Sequence, residues 1–144
     1  MFNHILVLCT GNICRSPVAG AMLKAGLPDK SVESAGLGAL VDRPADPTAA
    51  ELASQAGLDL SHHKARQATT AMFRQADLIL VMTEGQKARV TEMDPSSTGK
   101  TLLMGHWLEG RPDIPDPYKK SRQAFVHVHQ RLEEAVNAWL PRLK

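Results

Sequence analysis

The chain has 144 residues, 43% hydrophobic and 22% charged, with a net charge of +2. That length supports one core, residues 1–144 forming a single domain without metal or disulfide staples. The small net charge gives no reason to expect a nucleic-acid partner, and no stretch approaches the ~20 apolar residues of a membrane span, so no membrane insertion is expected.

The first element is an apolar run that predicts a strand over His4 to Cys9. It passes through a tight loop into a helix from Pro17 to about Ala25, with Ser16 suited to the N-cap, Pro17 to the first helical position and Gly26 to the stop. A second strand is expected over Val32 to Ala35. A second helix opens with Asp46 as cap and Pro47 at its first position and stops at Gly57. Further strands are predicted over Asp77 to Met82 and Thr101 to Met104, with a short helix from Glu84 to Thr91 between them. The segment Glu109 to Lys120, carrying Pro112, Pro115 and Pro117, reads as a rigid loop. The last helix begins at Ser121 and shows an apolar stripe of Phe125, Val128, Leu132, Val136 and Trp139, ending at Pro141. Short apolar runs alternating with helices predict an α/β fold, a four-stranded parallel sheet flanked by helices. In such a sheet a ligand sits beyond the carboxyl ends of the strands, where Cys9 falls.

The loop Cys9-Thr10-Gly11-Asn12-Ile13-Cys14-Arg15-Ser16 lies between the first strand and the first helix. Successive loop amides and the helix start can converge on one anion. Arg15 adds a planar, two-pronged donor matched to phosphoryl oxygens. The same field favours a thiolate at Cys9, the form that attacks. A free cysteine is more often a small buried hydrophobe. That role, however, needs neither Gly11 and Asn12, which tolerate positive φ, nor a helix start just beyond the arginine. For a general acid, the sequence alone leaves Asp113 and Asp116 of the proline-rich loop as alternatives.

The string Leu8-Cys9-Thr10-Gly11-Asn12-Ile13-Cys14-Arg15-Ser16-Pro17 resembles the phosphate-binding loop of the low-molecular-weight protein-tyrosine phosphatases. The resemblance continues through Ser34-Ala35-Gly36 and His63-Lys64-Ala65-Arg66-Gln67 to Asp116-Pro117-Tyr118. Gly36 to Val41, Gly105-His106-Trp107 and Ile114 to Tyr118 are similar to the bacterial branch that accompanies tyrosine autokinases of polysaccharide export.

The resemblance implies hydrolysis of protein phosphotyrosine through a phosphocysteine, with Cys9 as nucleophile and Asp116 as acid, then base. Phosphate binding falls to Arg15 and to Thr10, Gly11, Asn12, Ile13 and Cys14, while Ser16 donates to the Cys9 sulfur. Leu40 and Tyr118 flank the substrate, and Asn12 is held by Ser34 and by His63, with His62 as the alternative. Cys14 is implied as a redox partner that traps oxidised Cys9 as a disulfide. Mammalian members carry an aromatic where this chain has Leu40, and a second tyrosine where it has Lys119, so its pocket wall is less aromatic. Lys119, Lys120 and Arg122 are expected to make a basic rim.

No metal or other cofactor is expected, since His4, His106, His127 and His129 show no ligand grouping. The implied partner is a phosphotyrosine protein, a cognate bacterial tyrosine autokinase, met by a monomer. An N-terminus without signal-peptide features and two cysteines five positions apart point to the cytoplasm. Among other classes, an arsenate reductase of the same fold needs cysteines beyond Cys14, and there are none. A phosphotyrosine-binding adaptor has no use for Cys9 and Asp116, and a nucleotide switch requires a Gly-Lys-Ser/Thr ending that the loop from Cys9 to Ser16 lacks.

Overall fold

The computed structural model describes residues 2–144. Strands β1 (His4–Cys9), β2 (Ser31–Gly36), β3 (Leu78–Val81) and β4 (Thr101–Leu103) form one parallel sheet in the order β2-β1-β3-β4. The chain leaves β1 towards β2 and then crosses back to β3, so β1 borders the point where the winding reverses. Register follows from burial. Ile5 pairs with Val32 on one side and with Leu78 on the other, and both faces of β1 are covered.

The helices divide between the two faces. Helices α1 (Arg15–Gly26), α2 (Pro47–Gln55) and α5 (Arg122–Leu143) cover one face, while α3 (Thr70–Gln75) and α4 (Glu84–Met93) cover the other. Alternate strand positions serve alternate cores. Ile5, Val7, Leu78 and Leu80 pack with Leu23, Leu132 and Trp139, and Leu6, Leu8, Ile79 and Val81 pack with Phe73 and Val90. Each such fully buried side chain contributes about 2 kcal/mol.

The α/β architecture is the expected one, and its boundaries shift for local reasons. Helix α1 starts at Arg15 rather than Pro17, with Cys14 at the N-cap and no side-chain capping bond. Ser16 is therefore inside the helix, because its hydroxyl is taken by two other partners. Gly26 is the last residue of α1, and its missing side chain admits Leu140, whose Cδ2 would lie 2.6 Å from an added Cβ. Asp46 caps α2 as expected, its Oδ1 accepting from the Thr48 amide at 2.9 Å. That helix ends at Gln55, and Gly57 follows with φ of 82°. Asp77 lies outside β3; its carboxylate accepts from the Asn3 and His4 amides at 2.9 Å, bonds that hold its pKa below the usual 3.8. Pro141 does not end α5, which runs on to Leu143, buried at 2% exposure. Proline gives up its own N–H bond and crowds the carbonyl four residues back, but only two residues of the helix follow it.

Two elements were not expected. Helix α3 has six residues, with Thr69 accepting from the Met72 amide, and a 3-10 helix over Pro95–Lys100 opens on Asp94. The segment 109–120 lies outside regular structure, anchored where the Ile114 amide donates to Met82 O at 2.8 Å.

Candidate active site

Strand β1 delivers Cys9 to the carboxyl edge of the sheet, and the chain then turns through residues 10–14 into α1. Five consecutive carbonyls in this stretch point away from the turn. Those of Cys9, Thr10 and Gly11 accept from the amides of Leu37, Gly38 and Leu40 at 2.9 to 3.1 Å. That of Ile13 accepts from the Asp46 amide at 2.8 Å, and that of Asn12 meets His63 Nε2 at 2.6 Å. Among the described residues no peptide bond is cis. In a trans peptide the N–H opposes the C=O, so outward carbonyls turn the following amides inward. The result is a cradle of N–H dipoles around Cys9.

Asn12 holds the turn in shape. It has φ of 60° and is fully buried, a conformation asparagine tolerates better than most side chains. Its Nδ2 donates to Ser16 Oγ at 2.8 Å and to Ser34 Oγ at 3.0 Å, and its Oδ1 accepts from the Arg66 amide at 3.0 Å. Ser34 and His63 thus both meet Asn12, His63 through the backbone carbonyl, and it is His63 rather than His62 that does so. Gly11 does not use positive φ. Gly36 is required by close approach, since a Cβ there would lie 2.5 Å from Thr10 O.

Cys9 Sγ lies 2.9 Å from Ser16 Oγ. A thiolate has no proton to give, so in that form the hydroxyl is the donor. Arg15 is 3% exposed. Its Nη1 donates to Ile114 O at 2.8 Å, its Nη2 lies 3.6 Å from Asp116 Oδ2, and its buried Nε has no partner. A buried donor left open in this way marks a position prepared for an acceptor. Asp116 is tied into its turn by the Tyr118 amide at 3.0 Å and keeps 47% of its side chain exposed. Asp113 is occupied elsewhere, accepting from the Glu84 amide at the start of α4.

Cys9, Thr10, Gly11, Ile13, Cys14 and Arg15 line a cavity of about 140 Å3, whose mouth is formed by Gly38, Leu40, Asp116 and Tyr118. Both cysteines are free thiols. Burial, aided by Asp46, Asp116 and Cys9 and opposed by Arg15, pushes the Cys14 thiol up to about 12, so it stays protonated at neutral pH.

Several supporting residues carried no role in the sequence. Arg66 donates through Nε to Ser34 O and through Nη2 to Glu33, and Gln67 Oε1 accepts from the Ala39 amide at the cavity's edge. Gln86 donates to Thr10 Oγ1 at 3.2 Å while accepting from the Met82 amide. Only the motif His63 to Gln67 flagged part of this network. The expected basic rim is smaller than predicted. Lys119 and Lys120 remain exposed, but Arg122 forms a two-pronged pair with Glu51, at 3.0 and 3.2 Å, that fastens α5 to α2. Among the described residues no group of three or more His, Cys, Asp or Glu is placed to hold a metal, and no helix is long and apolar enough to cross a membrane.

The low molecular weight phosphotyrosine protein phosphatase model matches residues 4–144, and the chain belongs to that family of phosphatase enzymes. It is 50% identical to the protein-tyrosine-phosphatase Etp of Escherichia coli K12, over 99% of this chain and 95% of the relative. Identity to Wzb of the same organism is 49%, covering 96% of this chain and 94% of Wzb. Among solved structures, the tyrosine phosphatase Wzb from Escherichia coli K30 in complex with sulphate superposes with a TM-score of 0.96 at 46% identity, all of both chains covered.

Proposed function

We propose that the chain hydrolyses protein phosphotyrosine through a phosphocysteine on Cys9. The observation that carries this is the thiol–hydroxyl contact of Cys9 and Ser16 at the floor of an inward-facing amide cradle, beside the open Nε of Arg15. The phosphate dianion seats with its oxygens on the loop amides and on Arg15. The Cys9 thiolate attacks phosphorus in line, and the tyrosine oxygen departs with a proton from Asp116. Asp116 then accepts a proton from water as that water attacks phosphorus, and Cys9 leaves as a thiolate stabilised by the Ser16 hydroxyl. Ser34 and His63 act by positioning Asn12, while Leu40 and Tyr118 flank the tyrosyl ring. The scheme needs neither metal nor organic cofactor. Cys9, Arg15 and Asp116 come from one chain, so a monomer of residues 1–144 can complete the cycle as one domain.

The relatives Wzb, AmsI and EpsP are named low molecular weight protein-tyrosine-phosphatases, the last two as probable ones, and the sequence resembles the branch that accompanies tyrosine autokinases of polysaccharide export. By that kinship the substrate is a phosphorylated bacterial tyrosine autokinase, reached in the cytoplasm, where free thiols persist. Cys14 serves as the resolving thiol when Cys9 is oxidised. Rapid mixing with an aryl phosphate tests the central step. A burst of phenolate stoichiometric with labelled protein is expected, and Cys9→Ser loses both burst and label while keeping its fold. Turnover by Cys9→Ser would falsify the scheme.

A further inference from the structure

Beside the catalytic cavity runs a second, larger concavity of about 420 Å3. It shares Thr10, Arg15 and Asp116 with the cavity, then passes Leu37 and reaches Gly85 and Arg89 on α4. Its wall is firm, because Gln86 bonds both Thr10 Oγ1 and the Met82 amide. The catalytic scheme uses neither Gly85 nor Arg89.

The charges in this groove are arranged unevenly. At the inner end Asp116 faces Arg15 at 3.6 Å. At the outer end Arg89 pairs with Glu92, one turn along α4, with Nη1 to Oε1 at 3.1 Å and side chains 50% and 73% exposed. An exposed pair of this kind is held weakly and is screened by salt. Glu92 does not line the groove, so an incoming carboxylate can replace it at little cost. Consecutive Cα atoms lie about 3.8 Å apart, which brings a neighbour of the bound tyrosine to the groove's inner end.

The geometry points to a second subsite in which the groove from Thr10 to Arg89 receives an acidic side chain of the substrate, one or two residues from the phosphotyrosine, with Arg89 determining that preference. This rests on the phosphotyrosine reading above. An ion pair formed in both ground and transition state lowers KM rather than raising kcat.

The test compares phosphotyrosyl peptides that differ only in Glu or Gln at the positions flanking the tyrosine. Wild type should favour the Glu peptide in kcat/KM by about threefold to fivefold, the size of one exposed ion pair, with the difference in KM and fading at 0.5 M salt. Arg89→Gln should bring the ratio close to one, and Glu92→Gln should raise it. Because the ratio is internal to each variant, a general loss of activity cancels. Equal use of both peptides by wild type, an unchanged ratio in Arg89→Gln, or a lowered one in Glu92→Gln overturns the subsite. Failure of wild type to hydrolyse either peptide removes the phosphotyrosine reading itself, and the subsite with it. Turnover with a ratio of one removes the subsite alone.

Discussion

Replacing Asn12 by alanine should damage stability and turnover together, and the size of the damage can be worked from its contacts. The side chain makes three hydrogen bonds, to Ser16, Ser34 and the Arg66 amide, at 2.8, 3.0 and 3.0 Å. At about 1 kcal/mol net each they account for about 3 kcal/mol. Alanine at φ of 60° adds about 1 kcal/mol of backbone strain. The expected loss is about 4 kcal/mol, a large share of the ~5–15 kcal/mol that holds a domain of this size. It corresponds to a fall in Tm of about 8–16 °C. Asn12→Gly loses the same bonds without the strain and, after the entropy that glycine's freer unfolded chain costs, should recover about 0.5 kcal/mol net. Urea titrations would give the stabilities, and hydrolysis of an aryl phosphate would give kcat/KM. A cradle that has lost its central tie should be slower by about 10²-fold in both variants, the cost of roughly 1 Å of misplacement. A loss of under 1 kcal/mol, near-normal turnover, or a glycine variant no better than alanine would refute the role assigned to Asn12.

The two loop carboxylates should separate by leaving group. Asp116→Asn should slow phosphotyrosine, a poor leaving group, about 10²-fold or more, and an activated aryl phosphate far less. Asp113→Asn should slow neither selectively, since its carboxylate serves the start of α4; the reverse pattern in paired kcat measurements would exchange their roles. Under peroxide, Cys9 thiolate should form a sulfenic acid, which condenses with the neutral Cys14 thiol to a disulfide and water. Dithiothreitol should then restore wild type but not Cys14→Ser, and equal recovery of the two would remove Cys14 from redox protection.

Where a feature rests on neighbours in sequence, the sequence made it legible. Asp46-Pro47 announced α2 because cap and first turn are local, and the stripe from Phe125 to Trp139 announced α5 because its period is its own. The strand–loop–helix context of Cys9 was visible for the same reason. Ser16 misled because a hydroxyl one residue before a proline suits a cap, whereas here it is claimed by Asn12, whose orientation depends on Ser34 and Arg66. Arg122 read as rim charge because its partner Glu51 is 71 positions away. Arg66 and Gln86 act largely on backbone groups and a hydroxyl brought near by the sheet, and no spacing rule encodes such contacts. Helix α3 was lost because six residues around Phe73 are too few to show a period.

The five outward carbonyls of the catalytic turn are anchored by residues from three separate later stretches, the last of them His63. The turn therefore has no native form of its own. A peptide of this sequence, or the same residues grafted between another strand and helix, would keep the composition and lose the concavity. Catalytic competence becomes an all-or-none reporter of assembly, absent from any partly folded chain however complete its first strand and helix. What those later stretches grip is main chain throughout, and the holds on side chains come from elsewhere, Gln86 of α4 on Thr10 Oγ1 and the core on Ile13.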